Sequence, residues 1–323
     1  MIVGQDRAVG QFSDAWKRGA LHHAWLLAGP KGVGKATFAR EAATRVLADA
    51  AGPQVDAPGL ETPEDHRIAK LVEAGSHPDL RWLERLVNDK TNNLARNITV
   101  DQVRSLADLF DLTPALSPWR VVVIDSIDDL EKSAANALLK MLEEPPANTI
   151  FFLVSHSPGR LLPTVRSRCR RLDFQSLDDD AMTSILAKAL PEQKDFERAR
   201  VIAAADGSAG RAIALAELDL VSLEDKAIKI LRQGDPTNGR RSDLALELGK
   251  RGAGDRYAAF LEILPSVIAR EARSLTGAPR LRAVDAYART RELVAIAPRL
   301  SLDPASTVFQ LGGILASVAD PLP

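Results

Sequence analysis

One junction constrains the fold of this chain more than any other. The apolar run His22–Ala28 leads directly into Gly29-Pro30-Lys31-Gly32-Val33-Gly34-Lys35, and a helical pattern follows from about Lys35 to Ala48. The loop fits the spacing G-x-x-x-x-G-K. Its glycines let the backbone curl so that successive N–H groups point at phosphate oxygens. The helix behind it presents its positive end to the same anion. Gly29, Gly32, Gly34 and Lys35 are therefore candidate nucleotide-binding residues, with Lys35 reaching the outer phosphates. The position after the lysine usually supplies a hydroxyl to Mg²⁺. Here it is Ala36, and Thr37 stands one residue further on. One residue along a helix turns a side chain by about 100°, so Thr37 is a candidate but not a simple replacement. The loop predicts nucleotide binding in a competent, weakened or vestigial form.

A second junction lies downstream. Val121–Ile124 ends on Asp125, and a further run covers Ile150–Val154. Short β-branched or aromatic runs of this kind are expected of strands buried on both faces of a parallel sheet. Asp125 has the place of the acidic residue that holds the water shell of Mg²⁺. In hydrolysing proteins of this type a glutamate follows and polarises the attacking water. Here the next residue is Ser126, which cannot take that proton at neutral pH. Asp128 and Asp129 are expected on a loop or helix cap.

Strands alternating with helices predict an α/β fold. Residues 6–20 read as a helix packing Ala8, Phe12 and Trp16. Residues 50–66 read as an exposed insertion, 80–86 as a strand, 88–97 as a loop and 100–112 as one helix. After Phe174 strand-like runs stop. Two or three short helices are expected over 177–215, then helices at 222–233, 241–250, 255–275, 281–297 and 306–319. Pro265 should start or kink the third of these. The expected organisation is an α/β domain over 1–175, a small helical domain over 176–218 and a larger helical domain over 219–323.

Composition narrows the function classes. The net charge is -1, so no overall pull towards nucleic acid or an anionic membrane is expected. A single cysteine, Cys169, excludes a disulfide framework and a thiolate zinc site, and it suits a reducing cytoplasm. The five histidines offer no ligand pair beyond the adjacent His22 and His23, so no metal site is expected. No signal peptide and no apolar run of roughly 20 residues is expected to engage a membrane.

Three further segments carry a resemblance. Asn136–Pro146 reads NALLKMLEEPP, Phe151–Ser155 reads FFLVS, and Leu161–Cys169 reads LLPTVRSRC. Together they resemble the bacterial clamp-loader subunits of the AAA+ class. The likeness runs from Val3-Gly4-Gln5 to about residue 215 and is most specific over 120–171. It implies an AAA+ P-loop domain with a parallel sheet, a helical lid domain and an all-α collar domain. Arg168, in Ser167-Arg168-Cys169, matches the arginine finger that reaches the ATP site of a neighbouring subunit. There a guanidinium offsets charge building on the γ-phosphate. Ser155 matches the sensor 1 position and Arg211 the sensor 2 position. Val3-Gly4-Gln5 matches the segment near the adenine.

Departures from the family sharpen the expectation. Many relatives carry a four-cysteine zinc module after the first helix. Residues 48–80 contain no cysteine, so this segment is expected without zinc. Ala36 and Ser126 argue against the gamma/tau motor type, as does a chain that ends soon after its last helices. The delta-prime type of DNA polymerase III is the expected match, with a gamma/tau-like ATPase motor as the alternative. That type implies little or no ATP hydrolysis by the chain itself, and ATP with Mg²⁺ held weakly or vestigially. It also implies gamma/tau and delta partners in a hetero-oligomeric ring. The sliding clamp and primer-template DNA would be reached through that complex.

Overall fold

The computed structural model describes residues 2–88 and 93–319. The chain divides into two compact units. One comprises Met1–Lys188 with Asp206–Gly210, and the other Ala189–Ala205 with Arg211–Pro323.

The first unit begins with α1 (Asp6–Lys17), β1 (Ala24–Ala28), α2 (Lys35–Ala51), α3 (Arg67–Glu73) and β2 (Leu80–Glu84). A short antiparallel ribbon, β3 (Val87–Asn88) with β4 (Asn93–Leu94), follows. Next come α4 (Val100–Arg104), α5 (Leu106–Asp111), β5 (Arg120–Asp125) and α6 (Lys132–Glu143). Then come β6 (Thr149–Ser155), α7 (Pro163–Arg166), β7 (Arg170–Asp173) and α8 (Asp179–Ala189). Five strands form one parallel sheet in the order β2-β5-β6-β1-β7.

Side-chain parity explains why the sequence runs are continuously apolar. Trp25, Leu27, Val121, Val123, Ile150, Phe152 and Val154 face one core, with α1, α2 and α3. Their neighbours Ala24, Leu26, Val122, Ile124, Phe151 and Leu153 face the other, with α4, α5 and α6. Successive strand residues point to opposite faces, so a strand between two helical layers must be apolar throughout.

Some expectations needed correction. The helix expected over 100–112 is two helices. Thr99 and Gln102 form a capping box for α4, and the Ser105 hydroxyl donates back to the Gln102 carbonyl at 2.8 Å. A serine bonding its own backbone competes with continued helix. The edge strand β7 was not foreseen, because its only buried residue is Leu172. In the loop expected over 88–97, residues 89–92 lie outside the described residues, and its flanks pair Val87 with Leu94.

The second unit is helical: α9 (Asp195–Ala204), α10 (Ala209–Glu217), α11 (Leu220–Gln233), α12 (Gly239–Leu248), α13 (Gly254–Ser274), α14 (Gly277–Ile296) and α15 (Pro304–Ala316). Its core joins Leu223, Ala227 and Ile230 of α11, Phe260, Leu264 and Val267 of α13, and Val308, Leu311 and Leu315 of α15. Helix α13 runs through Pro265. A Cβ at Gly312 would stand 2.5 Å from the Arg241 Cβ, so the missing side chain lets α15 lie against α12. No described helix is long and apolar enough to cross a membrane.

The segment expected to be an exposed insertion is largely exposed, but it is anchored at two buried residues, Val55 and Leu60. Arg45 of α2 is 4% exposed. Its guanidinium donates to the Asp49 carboxylate and to the carbonyls of Val55, Ala57 and Glu61, at 2.7–2.9 Å. Asp49 also accepts from Val55 N and Trp16 Nε1. Val55 and Leu60 thereby enter the core beside α2. A buried guanidinium must meet acceptors on several sides, and this loop supplies them. Removing one member of a buried ion pair typically costs about 3–5 kcal/mol. Arg45→Ala should therefore lower the unfolding free energy of the first unit by a loss in this range, seen as a lower urea midpoint, and expose residues 53–61 to protease. EDTA should leave the midpoint of the unsubstituted protein unchanged.

Candidate phosphate-binding site

The parallel sheet puts the C-terminal ends of β1, β6 and β5 side by side. The residues there are Ala28, Ser155 and Asp125. Ligands of open α/β sheets bind at this edge. The loop 29–35 leaves β1 here and enters α2, with Gly34 at φ 98° as the helix N-cap. Gly29 is required by close approach: a Cβ there would lie 2.2 Å from the Phe174 carbonyl oxygen.

The loop carbonyls are held from behind. Lys35 Nζ donates to Gly29 O at 2.7 Å and also to Pro30 O. The Ser208 hydroxyl donates to Lys31 O at 2.9 Å, and Gly210 N to Gly32 O at 3.0 Å. Gln5 Nε2 donates to Val33 O at 3.1 Å and to Gln175 O at 2.9 Å. Five consecutive carbonyls, 29–33, are thus engaged by side chains or by a neighbouring strand of backbone. Their fixed direction shapes the opposite, amide side of the loop. Lys35 is 3% exposed. Burial pulls its pKa down to about 8, with Asp125 and Asp128 acting in the other direction.

The acidic turn is equally ordered. Asp125 faces Glu84 across the β2–β5 register. Burial and then the Glu84 charge raise its pKa, against the pull of Lys35. The Ser126 hydroxyl donates to Asp129 Oδ2 at 3.3 Å, and Arg85 pairs with the same oxygen at 3.3 Å. Asp128 is no simple loop residue. It accepts from the Ser155 hydroxyl at 3.0 Å and from His156 N at 2.5 Å. The His156 ring is half-buried, and burial followed by the Lys35 charge lowers its pKa. Gly29 N donates to Ser155 O at 3.3 Å, which ties the loop to the same strand end.

Among the expected residues, Gly29, Gly32, Gly34, Lys35, Asp125 and Ser155 meet at this edge. Thr37 is exposed on the first turn of α2. Arg211 is partly buried on the first turn of α10 and belongs to the second unit. Arg168 follows α7. Its Nη1 donates to Thr164 O at 2.8 Å and its Nη2 to Glu143 Oε1 at 2.7 Å. Cys169 beside it is partly buried, and that burial pushes its thiol up to about 12, away from the thiolate form.

Residues 4–178 match the family model described as "DNA polymerase III, delta subunit". The delta-prime subunit of DNA polymerase III from Pseudomonas aeruginosa is 36% identical over 189 residues, 58% of this chain and 53% of that one. The chain belongs to the DNA polymerase III delta-prime family. The tau subunit from Bacillus subtilis is 30% identical over 273 residues, 81% of this chain and 45% of that one. This chain thus spans about half the length of these relatives. A solved gamma-subunit-related protein from Thermotoga maritima aligns with a TM-score of 0.45 at 16% identity, over 94% of this chain and 98% of that one.

The glycines and lysine of the G-x-x-x-x-G-K pattern are all present in this chain, whereas the hydroxyl that usually follows the lysine is not. Lys35, the glycines and the N-terminus of α2 fit a phosphate chain. Ala36 offers no hydroxyl, so Asp125 stands as a candidate metal-side group without one beside it. Among the described residues, no group of three or more His, Cys, Asp or Glu is placed to hold a metal ion. Sequence reasoning missed Gln5, Asp128, Ser208 and Gly210 as supports of the loop and turn. The spacing of Asp128 after the strand end was the one available signal.

The buried lysine predicts a pH dependence. A bound phosphate favours the ammonium form, so above about pH 8 binding must take up a proton. Affinity should be full below that value and fall as pH rises through it. The Kd for ATP should weaken roughly tenfold between about pH 7 and about pH 9, where an ordinary lysine would still be charged. Calorimetric titration at both values measures this. A flat profile would show that the charge on Lys35 does not govern binding in this range.

Proposed function

We propose that this chain is a delta-prime-type subunit of a DNA polymerase III clamp loader. In this reading residues 1–175 form the AAA+ domain, 176–218 a lid, and 219–323 the collar that joins a ring with gamma/tau and delta subunits. The ring acts inside the cell on the sliding clamp and primer-template DNA. The chain contributes Arg168 as an arginine finger to the ATP site of a neighbouring subunit.

One contrast carries this reading. At its own site the turn after β5 offers Ser126, whose hydroxyl is hydrogen-bonded to Asp129, where hydrolysis needs a base. Asp128 is engaged by Ser155 and His156, and Asp129 by Ser126 and Arg85. Neither carboxylate takes the missing role. At Arg168 the cationic group is intact and a third exposed. ATP, when bound, would supply a phosphate chain for the loop amides and Lys35. Ser155 and Arg211 would take the two sensor positions, and Gln5 would hold the loop near the base.

The gamma/tau relatives are similar over more of the chain. A motor needs both the metal-facing hydroxyl and the base, and this chain has Ala36 and Ser126 in those places. The motor reading therefore has less support.

Arg168→Ala tests the proposal in a complex reassembled from the full-length chain and its partner subunits. Assembly should persist on gel filtration, while ATP turnover of the complex falls on the order of a hundredfold or more at the affected site. Unchanged turnover would refute the finger role. The isolated chain should turn over ATP no faster than its Lys35→Ala variant.

A further inference from the structure

The finger is held from two sides by elements whose ends are fixed independently. Helix α7 starts at Pro163, and the Thr164 carbonyl in its first turn accepts from Arg168 Nη1 at 2.8 Å. Helix α6 ends at Glu143 because Pro145 and Pro146 follow. Residue 144 leaves the helical region at φ -123° and ψ 71°, as backbone just before a proline tends to do. The stop places the Glu143 carboxylate in the last turn, and Oε1 accepts from Arg168 Nη2 at 2.7 Å. The negative end of α6 favours a cation at the same place. The other end of α6 is fixed at the acidic turn, where Glu131 N donates to Ile98 O at 3.1 Å and Ile98 N to Asp129 O at 2.8 Å. Helix α6 is a strut between the turn that holds Ser155 and the guanidinium of Arg168.

A guanidinium carries five N–H groups in one plane. Two anchors on separate nitrogens fix that plane and leave further donors for another acceptor. The side chains of Arg168 and Glu143 are 33% and 49% exposed, so the pair lies open to solvent. A solvent-exposed pair is weak in energy, so it orients the guanidinium without withholding it from a phosphate.

We propose that Glu143 is a positioning residue for Arg168. Its carboxylate sets the guanidinium plane in the direction that meets a phosphate on the adjoining subunit. This rests on the finger reading given above. Without Glu143 the arginine keeps its charge and loses its direction, and misplacement of a catalytic group lowers turnover more than binding.

The test uses the reassembled complex with full-length chains, separating kcat from KM for ATP. Glu143→Ala should lower kcat roughly tenfold and leave KM within about twofold. Glu143→Gln, whose amide oxygen still accepts, should retain most of kcat. The double variant Glu143→Ala with Arg168→Ala should match Arg168→Ala alone, because the two act as a unit. An unchanged kcat in Glu143→Ala would overturn the proposal, as would a Gln variant as poor as the Ala variant. A double variant below Arg168→Ala alone would also overturn it, by showing that Glu143 acts elsewhere. Full turnover in Arg168→Ala would remove the finger reading and this proposal together. A defect in Arg168→Ala without one in Glu143→Ala would remove this proposal alone. Glu143 is half exposed, so truncation leaves no core cavity, and gel filtration of each complex checks assembly.

Discussion

A strand buried on both faces can present polar chemistry only at its ends. Strands β1, β5 and β6 are in that position, with alternate residues feeding two separate cores. Because all are parallel, their C-terminal ends share one edge of the sheet. The candidate phosphate site of the first unit follows from this. Gly29, Asp125 and Ser155 are neighbours because the sheet makes them neighbours, and Gly29 N reaches Ser155 O directly. Supports drawn from distant parts of the sequence, Gln5, Ser208 and Gly210, then fix the loop from behind. A loop with its carbonyls held presents its amides without reorganising, which is what makes such a cradle effective.

Buried charge in the first unit is handled with backbone. Arg45 meets three carbonyls of residues 55–61 besides Asp49. Asp79, 2% exposed, meets the amides of Ala115, Leu116 and Ser117 at 2.7–3.3 Å. Each charge thereby orders a loop that has few apolar residues to order it. A lone buried charge would be far too costly to keep, so each arrangement is all-or-none: the loop closes around the ion or the ion leaves the core. In the cysteine-free segment Arg45 provides the kind of multi-point anchor that a metal ion gives elsewhere.

The legible parts of the sequence were those with short-range causes. The strand, glycine loop and helix at 24–51 and the apolar runs at β5 and β6 could be read because spacing alone specifies them. Arg45 could not, since an arginine within a helix ordinarily reads as a solvated residue, and its acceptors lie 10–16 residues on. Strand β7 was hidden because an edge strand with one buried side chain has no apolar run. Asp128 was visible but ambiguous. Its assignment needed Ser155 and His156, which come 27 and 28 residues later and meet it only through the sheet. The helix break at Ser105 turned on one hydroxyl bonding back to Gln102, a choice that periodicity cannot register.

The serine at position 126 suits the electrostatics of the turn in which it stands. A glutamate there would bring another negative charge next to Asp125, whose pKa is already raised by burial and Glu84. Serine removes that repulsion and gives Asp129 a hydrogen-bond donor, with Arg85 neutralising the same carboxylate. The same turn holds Asp128 on Ser155 and, through Ile98, the start of α6. Since α6 carries Glu143 at its far end, an ordered acidic turn would, under the proposed finger role, have a use apart from hydrolysis. It fixes one end of the strut against which Arg168 is set. Selection for a well-placed arginine would preserve the turn, the strand ends and the loop tied to them while leaving the base dispensable.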